Sequence, residues 1–257
     1  MNRGTLRLSA PTRRLKPLLQ TVLLAVVAVV LPNDEALAKD DLNLSWEGGP
    51  SNGDASASYT FGIPMTSTSA IQVVPSADYI YYAAHQGGAK TNTNSPGASL
   101  GVQYAYESDR LSFDIGPAID VVWQDRKVGS GPKKNTTLAS STLAGPGANA
   151  DLTYNFSDAT SLDLSASYEQ PDRYYYTRAD LAQRIAHAGS FAVLLGPEVS
   201  IQGNNLFHQT GGGVVAEFAF DTSGTSLQLR GGYAGVSYSD STNTTGAYVG
   251  VALDQRI

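Results

Sequence analysis

The sequence predicts an all-β fold: an antiparallel up-and-down transmembrane β-barrel of about 12 strands, with an N-terminal signal peptide removed. Three observations point there. One hairpin alternates apolar and polar residues around a short polar turn, its pattern recurs twice upstream, and the composition is rich in small residues and tyrosine. The chain has 26 Gly, 14 Tyr and no Cys, and only 16% of its residues are charged.

The clearest hairpin spans residues 213–238. Val214, Ala216, Phe218 and Phe220 share one face, and Val215, Glu217 and Ala219 share the other. Asp221-Thr222-Ser223-Gly224 turns the chain, after which Leu227, Leu229, Gly231 and Tyr233 resume the apolar phase against Gln228 and Arg230. Side chains of a strand point alternately to opposite faces, so this ribbon has one greasy face and one charged face. Residues 99–116 repeat it with Leu100, Val102, Tyr104 and Tyr106 before the turn and Leu111, Phe113 and Ile115 after it. Residues 150–168 repeat it again with Leu152, Tyr154 and Phe156, then Leu162, Leu164 and Ala166. A weakly similar sequence with a strongly similar pattern is what a meander of hairpins produces.

Before these, residues 1–38 read as a targeting segment. Arg3, Arg7, Arg13, Arg14 and Lys16 precede an apolar run from Leu18 to Leu31, and Ala36-Leu37-Ala38 offers a small-x-small cleavage site. The run is short for a membrane helix, which needs about 20 apolar residues. Residues 39–257 then form one domain. The leader takes five of the 17 basic and two of the 23 acidic residues, leaving 12 against 21 and a mature net charge of −9. That balance argues against nucleic acid as a partner. Without cysteine there is no disulfide framework, lipidation site or thiol chemistry. His85, His187 and His208 lack ligand spacing, so neither metal nor cofactor is expected.

The elements follow in order. Residues 42–47 form a first strand around Trp46, 48–53 a turn, and 55–61 a second strand with Ala55, Ala57, Tyr59 and Phe61 in phase. Residues 63–69 link to a third strand over 70–84, in which Pro75 fits only at an edge or a bulge. Residues 85–97, rich in Gly and Asn, read as a loop. The repeat at 99–116 continues to Trp123, and 124–147, with Arg126, Lys127, Lys133 and Lys134, reads as the longest loop. Residues 173–185 read as a strand, with a short helix over 180–188 as the alternative. Strands over 190–202, 206–221 and 246–254 complete the set.

Short turns at 107–110, 157–160, 186–189 and 221–224 alternate with longer polar connections, as they do in barrels whose turns and termini share one rim. Tyr104, Tyr106, Tyr154, Phe156, Phe218 and Phe220 fall near the short-turn rim, where an aromatic girdle sits. Closure is required because hydrocarbon cannot satisfy a free sheet edge. The opposite phase then lines the lumen, and its candidates for lining or polymer contact are Glu198, Glu217, Arg230, Asp114 and Arg184, in phase with Gln103, Asp163, Arg178 and Gln228.

The segments Leu194-Leu195-Gly196-Pro197-Glu198, Gly203-Asn204 and Gly246-Ala247-Tyr248-Val249-Gly250, with an echo at Ile115–Trp123, resemble the cellulose biosynthesis protein BcsS family, chiefly over the C-terminal third. The resemblance implies a small outer-membrane barrel that serves synthesis, export or anchoring of an exopolysaccharide. Its partners would be outer-membrane lipid, cellulose or another glucan, and other components of cellulose synthesis and export. Action by binding, channelling or scaffolding, without catalysis, is the expectation. Gly196-Pro197 reads first as a bend or bulge required by sheet curvature. Three other readings remain: a narrow porin-like channel, a secreted β-sandwich binding module, and an outer-membrane lipid hydrolase using His208 with Ser200 or Asn204, or His187 with Ser190.

Overall fold

A computed structural model describes residues 40–50, 52–86, 89–128, 136–220 and 223–257. The leader at 1–38, Lys133, Lys134 and Asp221-Thr222 lie outside these residues. Twelve strands follow one another: β1 (Asp41–Gly48), β2 (Asn52–Pro64), β3 (Ser69–Gln86), β4 (Ala89–Glu107), β5 (Leu111–Val128), β6 (Thr137–Ser157), β7 (Thr160–Glu169), β8 (Tyr174–Ala188), β9 (Phe191–Gly203), β10 (Phe207–Phe220), β11 (Thr225–Tyr238) and β12 (Asn243–Arg256). Each pairs antiparallel with the next. β1 then pairs with β12 from Asp41↔Arg256 to Gly48↔Val249, and the sheet closes into a barrel. A sandwich keeps free edges and this sheet has none, so the sandwich reading is overturned.

The start of β1 and the end of β12 lie at the same rim as the connections at 65–68, 108–110, 158–159, 189–190 and 223–224. We call this the terminal rim and the other the distal rim. At the distal rim the expected loops are largely strand. β4 begins at Ala89, not after Gly97, and pairs with β3 as far as Gln86↔Ala89. Here Thr91, Thr93 and Ser95 are buried while Asn92 and Asn94 alternate with them, so both faces are polar and hydropathy carries no period. The long loop expected over 124–147 narrows likewise, because β5 runs on to Val128 and β6 starts at Thr137. β8 is strand throughout, and the helix alternative at 180–188 is not formed.

Prolines inside strands coincide with gaps in the ladders. Pro75 falls where β2–β3 pairing skips from Ser58↔Ser76 to Phe61↔Val73, and Pro197 where β8–β9 skips from Asp180↔Glu198 to Gln183↔Leu195. Register is kept across both gaps, so a missing N–H costs one ladder bond without a slip. Gly196-Pro197 is therefore not a bulge. A Cβ on Gly196 would collide with the carbonyl oxygen of Leu181, so glycine is required there by close approach of β8. The β8–β9 register shift lies instead between Arg184 and Ala186.

The faces follow the alternation. Leu44, Trp46, Leu100, Val102, Ile119, Leu164, Leu181, Val199, Val214, Leu229, Tyr233 and Val249 are exposed and point outward around the whole circumference. A continuous belt of this kind is suited to lipid, not to water. Among the described residues no helix is long and apolar enough to cross a membrane.

Candidate functional site

The inward face has three tiers. Nearest the distal rim, Tyr82 from β3 meets Phe207 from β10, with ring centroids 5.0 Å apart. These strands stand five steps apart one way around the barrel and seven the other, so the contact crosses the bore. Ile80, Tyr174, Val236 and Tyr238 complete the cluster, and Tyr82 is 1% exposed. The polar tips are satisfied as buried tyrosines require: Gln124 donates to the Tyr82 oxygen at 3.2 Å, and the Tyr174 hydroxyl donates to Gln202 Oε1.

Below this plug lies a network of charged and polar groups. Arg230 Nε stands 3.1 Å from Glu198 Oε2, an ion pair without hydrogen-bond alignment. Glu198 is 2% exposed and Arg230 8%. The Tyr248 hydroxyl donates to Glu198 Oε1 at 2.7 Å. Arg230 also donates to Gln228 Oε1, and Gln228 donates to Glu217 Oε2 at 3.2 Å. Beside it, Arg178 pairs with Asp180 at 3.1 Å and donates to the Tyr176 hydroxyl at 3.3 Å. The Tyr248 ring needs room in this bore, and glycines supply it. A Cβ on Gly213 would stand 2.5 Å from its hydroxyl oxygen, and one on Gly232 would stand 2.7 Å from its ring.

The third tier is a cavity of about 580 Å3 that runs from the network to the terminal rim. Asp41 and Asp254 line it at the rim, Asp114 and Asp151 further in, and Arg178 and Arg230 at its inner end. A second cavity of about 200 Å3, bounded by Tyr174, Tyr176 and Ile80, lies against the plug.

Of the residues singled out in sequence, Glu198, Glu217 and Arg230 join one network, and Asp114 lines the cavity apart from it. Arg184 stands apart from both. It stands exposed at the terminal rim, beside the β8–β9 register shift, with its backbone N–H donating to Ala159 O at 2.7 Å. The hydrolase pairing of His208 with Ser200 also fails, because Ser200 is buried on the inward face while His208 is exposed on the outward one. His208 Nδ1 lies 2.5 Å from the Tyr175 hydroxyl, and Asn204 Oδ1 accepts from Leu206 N–H within the β9–β10 turn. Among the described residues no three His, Cys, Asp or Glu side chains converge to hold a metal ion. Sequence reading did not single out the Tyr82–Phe207 pair or Tyr248 as lumen residues. The available signal was an aromatic residue in the charged phase, as at Tyr82 directly after outward-facing Tyr79 and Tyr81.

A closed antiparallel barrel with an apolar exterior and a polar interior defines a protein of the outer-membrane barrel class. The chain belongs to the family of cellulose biosynthesis protein BcsS, whose sequence profile matches residues 70–257, well beyond the C-terminal third that the short motifs covered. In fold it is similar to the beta domain of the Bordetella autotransporter Brka, at 11% identity and a TM-score of 0.55, covering 86% of this chain and 100% of that one. It is also similar to an outer membrane channel from Pseudomonas putida F1, at 10% identity and a TM-score of 0.52, covering 89% of this chain and 100% of that one. These identities carry likeness of fold alone. No curated protein matches the chain.

Proposed function

We propose that the protein is a plugged outer-membrane accessory of cellulose biosynthesis, acting by binding or scaffolding and performing no chemistry of its own. Family membership supports the pathway. The outward apolar belt supports residence in a bilayer, and the edgeless sheet meets the bilayer's demand that every backbone donor be paired. The terminal rim, with its short turns, the start of β1 and the end of β12, faces the periplasm in this reading. The observation that carries the choice of binding over channelling is the Tyr82–Phe207 contact across the bore. A glucan chain cannot thread past rings packed at that distance without displacing them. Glu198 and Arg230, each buried and engaged, hold the walls together and leave polymer contact to the rims.

The test combines location with phenotype. Unboiled protein from the outer-membrane fraction is expected to run as a fast band that slows on boiling, and colonies lacking the gene are expected to lose cellulose-dye binding until it is restored. Recovery of the protein in the soluble periplasm with no band shift would reject the location. Normal dye binding without the gene would reject the pathway role.

A further inference from the structure

The inner end of the 580 Å3 cavity carries Asp78 on β3, Asp120 on β5 and Glu169 on β7. They come from alternate strands, and the strands between them place glycines beside the carboxylates. A Cβ on Gly97 of β4 would stand 2.7 Å from Asp78 Oδ2, and one on Gly147 of β6 would stand 2.9 Å from Asp120 Cγ. The result is a trough in which carboxylates lie across bare backbone. Ser99 serves one side of Asp120. Yet Asp78 Oδ2, Asp120 Oδ2 and Glu169 Oε2 are buried with no hydrogen-bond partner among the described residues, and Asp120 is only 4% exposed.

An ionised carboxylate withdrawn from water and left unpaired is costly, so several together either take up protons or favour a positive charge brought beside them. The cations facing the cavity do not supply it. Arg178 and Arg230 reach its lining from β8 and β11, but each is already paired, with Asp180 and Glu198 respectively. Further carboxylates continue toward the terminal rim at Asp114, Asp151, Asp254 and Asp41. Asp114 and Asp120 are six residues apart on the same face of β5, which is roughly 20 Å along the strand. The acidic groups are therefore strung along the bore. No three of them converge on a point as a bare metal ion would require.

We infer that the cavity binds a flexible chain bearing several alkylammonium groups, with one group seated in the Asp78–Asp120–Glu169 trough and another near Asp114. That chemistry has two sources: a free polyamine, or a lysine-bearing segment of a partner protein entering by the terminal rim.

Calorimetry on the purified, detergent-folded barrel tests it at low ionic strength, with spermine and a tetralysine peptide as probes. Binding of either probe is expected, weakened at least tenfold in Asp120→Asn/Glu169→Gln and weakened again by added salt. Spermine alone binding assigns a free polyamine, and tetralysine alone assigns a partner segment. The near-isosteric substitutions keep the trough's shape, and the boiling shift verifies that the variant is folded. Asp114→Asn provides a second check, because it is expected to weaken spermine while sparing the shorter diamine putrescine. Absence of binding by both probes, or equal affinity in the trough variant, would overturn the inference. Neither result depends on the cellulose reading, which is decided by dye binding in cells.

Discussion

At the scale of single residues, the lumen is organised by what cannot be left unpaired. Glu198 accepts from Tyr248 and faces Arg230, and these groups come from β9, β12 and β11. Breaking a buried ion pair from one side typically costs about 3–5 kcal/mol, because the surviving charge has no water to return to. Glu198→Ala is therefore expected to lower the temperature at which the fast-migrating form is lost. The double variant Glu198→Leu/Arg230→Met is expected to recover much of that loss, since an apolar pair leaves no orphan charge. Equal losses in the single and double variants would show that the pair is not what holds these strands. The glycines obey the same packing logic. Gly213 and Gly232 were visible in the sequence only as a glycine-rich stretch, and their reason is close approach: a Cβ on either would meet the paired strand's backbone as well as Tyr248.

At the scale of elements, alternation assigns the faces and polarity obscures the ends. The outward phase read at Leu227, Leu229 and Tyr233, and at Leu100, Val102 and Tyr104, is the phase the strands adopt, since one face is greasy wherever a strand crosses the belt. Beyond the belt both faces are wet, and the strand extensions at 89–97, 124–128 and 137–147 lost their signal for that reason. The assignment has a direct consequence. Leu229→Arg places a charge on the outward face, where a mid-membrane arginine costs about 2–4 kcal/mol. Asn149→Arg places the same charge on the inward face beside the carboxylates of the main cavity. Refolding into lipid vesicles is expected to yield little heat-modifiable protein for the first variant and near wild-type amounts for the second. Equal yields would mean that the belt does not contact lipid.

At the scale of the whole molecule, closure makes one strand's inward face the neighbour of distant strands. The plug is the clearest product: β3 supplies Ile80 and Tyr82, and the opposite wall supplies Tyr174, Phe207, Val236 and Tyr238. In planar bilayers the wild-type barrel is expected to pass little current. Tyr82→Gly/Phe207→Gly is expected to give discrete conductance steps, because two packed rings are replaced by space across the full bore. Large conductance in the wild-type protein would contradict the closed lumen and favour a channel.

The sequence by itself determined the all-β class, the strand count, the lipid-facing phase, the shared rim of turns and termini, and the family likeness of the tail. All of these are carried by residues two apart in the chain or by a single short segment. Which inward residues meet was decided only by the tertiary structure. Tyr248 reaches Glu198 across 50 positions, Tyr82 meets Phe207 from an opposite wall, and Arg184 falls at the rim although its phase matches that of Arg178. Strand tilt and register stagger set those encounters when the sheet closes. No local pattern along the chain encodes either one.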